Sequence, residues 1–276
     1  MDYLQVVIMA IVQGIAEFLP ISSSGHLCVL DDIFKQCGVQ HKFSELTLMV
    51  VLHFGTLISV FVVFWKRIWR LLTFDRRVIP LLILATIPAA LVKICIDDSV
   101  LESSLVSGIC FPITGLILLW CSNRSGETIC RNLSYVKAVL IGLAQGIALF
   151  PGISRSGTTI SAGLLCGLKR EEAATFSFLM AIPAIGGGAL VEAVKFLKPS
   201  KETTAQMTEA ANQTTTALTN HEFFLLGLGM IISFVIGVLA LKLLLNWLQH
   251  GKLKYFSWWL FILGPVVIIW RLFFAA

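Results

Sequence analysis

The sequence predicts an all-α polytopic membrane protein, an inverted-topology repeat of six transmembrane helices and two opposed re-entrant helix–loop–helix hairpins. Three observations predict it. Of the 276 residues, 57% are hydrophobic and 13% charged, whereas a soluble domain is roughly half apolar and a quarter charged. Apolar runs of about 20 residues, the length that crosses a bilayer, recur along the chain. One unusual segment occurs twice: QGIAEFLPISSSGHL from Gln13 returns as QGIALFPGISRSGTT from Gln145, with nine of the first fourteen positions identical.

The six expected spans cover roughly residues 44–65, 78–96, 105–121, 172–195, 222–245 and 256–274. Pro88 and Pro112 predict kinks in the second and third. The repeated segments do not read as plain spans. Each has an apolar run, then Pro, Gly and Ser, then a second short apolar run, which suggests a hairpin. Irregular backbone survives at membrane depth only against protein or a wet cavity. Residues 199–220 form a polar Thr/Ala-rich loop with no assigned role.

Loop charges set the orientation. Residues 66–77 carry five Lys/Arg and one Asp, and are expected inside. Residues 97–104 carry three acids and no base, and are expected outside. Arg124, Arg131, Lys137, Lys169, Arg170, Lys252 and Lys254 also fall inside; Lys195, Lys198 and Lys201 fall outside, against the trend. Both termini are then outside. Three crossings separate the hairpins, so the first enters from outside and the second from the cytoplasm. The chain reads as one membrane domain, 1–276, with halves 1–121 and 134–276 joined by a linker at 122–133. The N-terminus has Asp2 and no basic region, so it does not read as a cleaved signal peptide.

Composition excludes other classes. The net charge of +5 reflects loop topology, and no basic tract or RNA-binding motif points to nucleic acid. The seven cysteines lack metal-site or disulfide spacing and read as small apolar filler.

The charges of the two repeat copies differ in a way that suggests one shared site. The first copy carries Glu17 and His26, where the second has Leu149 and Thr158; the second places Arg155 opposite Ser23. If the copies face each other, Glu17 and His26 meet Arg155 in one cavity near the midplane, where inverted-repeat proteins place their sites. Arg155, the backbone at a helix start, Ser154, Ser156 and Thr159 could hold a phosphate. Ser22, Ser23 and Ser24 offer a nucleophile or further phosphate donors. Glu17 suits a base or a metal ligand, and Gln13, one turn earlier, shares its face. His26 suits an acid, base or nucleophile. Such a set, at membrane depth, fits phosphoryl transfer on a lipid-borne phosphate.

Plainer readings compete at several positions. Ser22 also fits a helix cap, and Gly25 and Gly157 fit purely conformational roles. His53, alone in VVLHFGT, reads as a satisfied buried histidine. Glu45, Lys93 and Glu192 can snorkel from span ends, and Trp258, Trp259 and Trp270 read as interface anchors.

At the two repeated segments the chain resembles the BacA/UppP family of undecaprenyl-diphosphate phosphatases. The family's (E/Q)xxxE signature running into a Ser/Thr-Gly-His element is matched by Gln13-GIA-Glu17 and FLPISSSGH ending at His26. Its PGxSRSxxT signature is complete from Pro151 to Thr159. The resemblance implies hydrolysis of undecaprenyl diphosphate to undecaprenyl phosphate and phosphate. That reaction recycles the carrier for peptidoglycan and confers bacitracin resistance. The resemblance also implies a divalent cation, magnesium or calcium, and essential positions at Glu17, His26, Ser23 and Arg155. Glu17 and Gln13 are the expected metal-binding residues; Gln13 stands where many members have Glu, which replaces one carboxylate with an amide, and Ser24 replaces a common Thr. Ser23 activated by Glu17, a metal-bound water and His26 all remain candidate nucleophiles. The expected partners are undecaprenyl diphosphate and membrane lipid, in a bacterial inner membrane with the site facing outward; a homodimer is compatible with the sequence. A flippase using the same site is the main rival. A type 2 phosphatidic acid phosphatase is rejected, because residues 157–170 lack the second histidine that class needs.

Overall fold

The structure, a computed structural model, describes residues 2–39, 45–96, 103–197 and 220–274. Most of the expected 199–220 loop lies outside the described residues. Among those residues every element is helical: α1 (Asp2–Ala16), α2 (Ser23–Gln36), α3 (Glu45–Val63), α4 (Trp65–Thr73), α5 (Val78–Cys95), α6 (Ser104–Cys121), a 3-10 turn (Cys130–Asn132), α7 (Tyr135–Ile147), α8 (Arg155–Leu165), α9 (Arg170–Leu197), α10 (Asn220–Gln249) and α11 (Lys254–Phe274).

The repeated segments form two short helix pairs, α1–α2 and α7–α8. At about 1.5 Å per residue none of these four helices can cross a 30 Å hydrocarbon layer alone. Corresponding serines begin the second helix of each pair. The Ser22 hydroxyl accepts the Gly25 N–H, and the Ser154 hydroxyl accepts the Gly157 N–H. The same sequence thus makes the same N-cap twice.

The pairs open at opposite ends of the bundle. At one end Tyr3 meets His221 at the start of α10 (2.8 Å), and Asp32 near the end of α2 accepts from Ser104 at the start of α6 (2.5 Å). At the other, the Cys130 N–H donates to Glu172 at the start of α9 (2.6 Å), while the Thr128 backbone pairs with the turn after α8. Arg67 on α4 also donates to Glu172 and to Asp75 at this end.

Among the described residues four helices are long and apolar enough to cross a membrane: α5, α6, α10 and Lys254–Phe273 of α11. A fifth crossing results if Thr47–Val63 and Trp65–Thr73 are one span, bent by 69°. The 172–195 stretch, the fourth expected span, forms the helix α9, of 28 residues.

Pro88 and Pro112 lie inside continuous helices. A sharp bend lies at Phe64, where no proline stands. Its cause is charge: WKRIWRLLT buries Leu71 but leaves Trp65, Lys66, Trp69 and Arg70 exposed. Three basic residues in six cannot continue into hydrocarbon, whereas an amphipathic helix is stable along the interface.

Close helix contacts use small residues, as packing within a bilayer favours. Gly264 of α11 lies against Pro112 of α6, and Gly142 of α7 lies on the Ala85 backbone of α5. The core gathers Phe18, Phe111, Phe176 and Phe178, each almost fully buried. Ile83, Ile87 and Leu91 of α5 and Ile231, Val235 and Leu239 of α10 face outward. In water such surfaces would be untenable; against lipid they are solvated. The protein is a multi-pass membrane protein.

Gly142→Ala places a methyl against Ala85 backbone that has no flexible side chain to move. It should lower stability by about 1–3 kcal/mol. Thermal unfolding in detergent measures this; an unchanged midpoint would refute so close an approach of α5 and α7.

Candidate active site

Glu17 sits in the turn after α1, only 7% exposed. A carboxylate there needs compensating partners, and it has them. Arg155, the first residue of α8, donates through its guanidinium to Glu17 Oε1. Ser23 Oγ donates to Oε2 at 2.7 Å, and Gln13 Nε2 donates to the same oxygen at 3.2 Å. The helical spacing expected to place Gln13 and Glu17 on one face does so. Charges carried separately by the two copies are thus joined across 138 positions.

The tips of the hairpins touch here. The Gly152 N–H donates to Ser22 Oγ (3.1 Å), and the Gly152 carbonyl accepts from Thr114 of α6 (2.9 Å). Thr114 also accepts from the Ser154 N–H (3.1 Å). Gly152 has φ of +89°, a conformation that glycine adopts without strain. A Cβ at Gly25 would meet the Gly152 nitrogen and the Phe111 ring at 2.8 Å, so the two tips can approach only without a side chain there. Among the described residues Ser22 is the one non-glycine with positive φ (71°). That strained position turns the chain so that Ser22 Oγ reaches the second hairpin while the next residue, Ser23, reaches Glu17.

A small polar pocket lies over this junction, lined by Glu17, Ser22, Ser23, Ser24, Ser154, Arg155 and Ser156 together with Ala16, Ala148 and Ile153. Seven of the predicted site residues therefore converge. Gln13 is fully buried behind Glu17. Thr159 departs from expectation: it is buried, and its hydroxyl donates to the Arg155 carbonyl (2.7 Å) and meets Ser177 Oγ of α9 (2.6 Å). It pins α8 to α9 instead of facing a phosphate. His26 is not part of the pocket lining either; its Nδ1–H donates to the Ser22 carbonyl (2.8 Å), and its Nε2 accepts from the Trp259 indole (3.2 Å).

Two residues join the site that sequence reasoning passed over. One is His53, whose isolated place in an apolar run predicts a satisfied buried histidine. Its Nδ1 does bond the Met49 carbonyl, but its Nε2 stands 3.7 Å from Glu17 Oε2, and the side chain is 32% exposed. The available signal was an ionisable group inside an apolar span. Thr114 carried no signal, being one hydroxyl in an apolar helix.

Among the described residues no three His, Cys, Asp or Glu side chains gather as a ready metal site. The oxygens present still suit a hard cation. Glu17 supplies one carboxylate, and the buried Gln13 Oε1 has no hydrogen-bond partner. Magnesium in particular is often held by one or two carboxylates with phosphate oxygens and water completing its shell.

The family model described as bacitracin resistance protein BacA matches residues 6–266. The chain is 40% identical to the undecaprenyl-diphosphatase of Rhodopirellula baltica, over 98% of this chain and 99% of that protein. It is 36% identical to the protein of the same name in Thermodesulfovibrio yellowstonii, over 97% of each chain. It is 37% identical to that of Carboxydothermus hydrogenoformans, over 98% of this chain and 97% of the other.

Ser22→Ala removes both the N-cap and the bridge to Gly152 but keeps the strained φ, and should cost about 1–3 kcal/mol. Ser22→Gly loses the same hydroxyl but relieves the strain, so it should be the milder change. Chemical unfolding of both variants in detergent gives the order; alanine as the milder substitution would contradict it.

Proposed function

The chain belongs to the BacA family of bacitracin resistance proteins, and from that membership we propose that it hydrolyses undecaprenyl diphosphate to undecaprenyl phosphate and phosphate. The observation that carries the mechanism is the 2.7 Å hydrogen bond from Ser23 Oγ to Glu17 Oε2, beside a guanidinium delivered by the other hairpin.

The diphosphate enters the serine-lined pocket. An arginine has five N–H donors, so Arg155 can contact Glu17 and still bind phosphate oxygens, aided by Ser154 and Ser156. Ser23 Oγ attacks the terminal phosphorus while its proton passes to Glu17 Oε2. The bond from phosphorus to the bridging oxygen breaks, and undecaprenyl phosphate leaves with the electron pair. Water then attacks the phosphoserine and releases phosphate, and Ser23 recovers its proton. Arg155 stabilises charge on the transferring group, the largest catalytic contribution in such reactions. Gln13 and His53 hold Glu17 from behind and beside. Glu17 and Gln13 Oε1 would hold a magnesium or calcium ion, which supplies further charge neutralisation to the phosphates when bound. A carrier that only moves the lipid has no use for a hydroxyl aligned on a carboxylate, and this disfavours the flippase reading.

We place the protein in the bacterial cytoplasmic membrane as an inverted repeat, with the pocket open to the outer side and the isoprenyl tail leaving between helices into lipid. The opposite openings of the two hairpins support this. So do the exposed basic residues at the Glu172 end, among them Lys66, Arg76, Arg77, Arg124, Lys169 and Lys252, which favour a cytoplasmic location.

Purified protein in detergent should release phosphate from undecaprenyl diphosphate, lose that activity to a chelator, and regain it with magnesium or calcium. Arg155→Ala and Glu17→Ala should each lower turnover by about a hundredfold or more; both should still fold, with stability below the wild type's because the partner charge is left unpaired. A folded Glu17→Ala protein with near-normal turnover would remove Glu17 from the mechanism. Rapid quench with substrate labelled at the terminal phosphate should trap label on the wild type and none on Ser23→Ala; a Ser23→Ala protein of normal activity would transfer the attack to water.

A further inference from the structure

His26 is held on both sides by residues outside the hairpins. The Phe111 ring of α6 packs edge-on against it (centroids 5.1 Å apart, 63° between planes), and the Trp259 ring of α11 lies nearly parallel to it (6.3 Å, 12°). Both ring nitrogens are engaged, by partners of opposite kind. The Ser22 carbonyl can only accept, so Nδ1 carries the proton. The Trp259 indole N–H can only donate, so Nε2 presents its lone pair. The two contacts admit one arrangement, the neutral imidazole protonated on Nδ1. An imidazolium, or the other neutral tautomer, would set two N–H groups against each other at 3.2 Å.

We propose that Trp259 is a positioning residue for the hydrolysis: its indole N–H holds His26 in the Nδ1–H tautomer, leaving Nε2 as the ring's proton-accepting atom. This rests on the reading that His26 belongs to the reacting centre. Two consequences follow. His26 at rest is not a free nucleophile, since one nitrogen is protonated and the other is covered by Trp259, whereas Ser23 is already aligned on Glu17. The last helix, which adds no residue to the pocket lining, still governs the chemistry through this contact. A tryptophan half exposed toward lipid, 50% accessible, thus does more than anchor a helix at the interface. Its neighbour Trp258 supplies the contrast: it is exposed to a similar degree, and the ring it meets is Phe261 of its own helix.

The test combines histidine spectra with kinetics on the full-length protein in detergent. In 15N-histidine-labelled wild type, the His26 signal, identified by its loss in His26→Ala, should show the Nδ1–H tautomer. Trp259→Phe keeps a ring and removes the donor. It should move that signal toward the Nε2–H tautomer and lower kcat about tenfold, the worth of one neutral hydrogen bond, with KM unchanged. Trp258→Phe should change neither. A Trp259→Phe protein with the wild-type histidine signal and kcat would reduce Trp259 to an anchor and overturn the proposal. So would a shifted tautomer with unchanged kcat while His26→Ala is inactive. If His26→Ala itself turns over normally, the placement of His26 at the reacting centre fails, and the catalytic role given to Trp259 falls with it.

Discussion

Glu17 and Arg155 compensate each other's charge at the point where the two hairpin tips meet. A carboxylate 7% exposed at the depth where two hairpin tips meet must have an opposite charge and hydrogen-bond donors, because neither lipid nor bulk water can supply them. Removing either partner would leave a buried charge uncompensated, which is costlier than never having placed the pair there. The contact joins the two halves of the chain, so the rest of the fold can be read as the frame that brings Gln13–His26 against Pro151–Thr159.

The frame has little freedom at that point. Two stretches of non-helical backbone lie in the interior, and their polar groups must be satisfied by protein. Ser22, Thr114 and the Gly152 peptide do this for one another. The glycines at 25 and 152 matter because hydrogen bonds across the tips are short and leave no room for a side chain. Duplication explains why Ser22 and Ser154 make the same capping hydrogen bond, although the backbone at Ser22 alone has positive φ. Divergence explains why the site is asymmetric: Gln13 has Glu17 one turn on, while its counterpart Gln145 has Leu149 and keeps a buried amide without a hydrogen-bond partner.

The site also draws on the helices around the hairpins. His53 comes from α3, Thr114 and Phe111 from α6, and Trp259 from α11. Each acts on a residue of a hairpin instead of lining the pocket: His53 beside Glu17, Thr114 at the Gly152 turn, Phe111 and Trp259 on the imidazole. A surrounding layer of this kind turns flexible polar side chains into an arrangement with defined donors and acceptors.

The amino-acid sequence by itself determined the membrane class, the helical hairpins and the residues that meet at their tips. Hydrophobic run length, the duplicated segment and charge asymmetry between its copies are local properties, legible without coordinates. Glu17, Ser22, Ser23, Ser24, Ser154, Arg155 and Ser156 were legible for that reason. Only the tertiary structure decided which side chains face the pocket and which support it. Thr159 satisfies the motif as well as Ser156 does, yet helical rotation turns it toward Ser177. His53 and Trp259 lie in ordinary apolar stretches, and their importance comes from helices distant in sequence packing beside Glu17 and His26. The end of the first span at residue 65 was legible from the charges that follow it; that the chain continues there as a second helix at 69° was not. Periodicity and composition report a residue's preference for its surroundings; partners 138 or 233 positions away are chosen by packing.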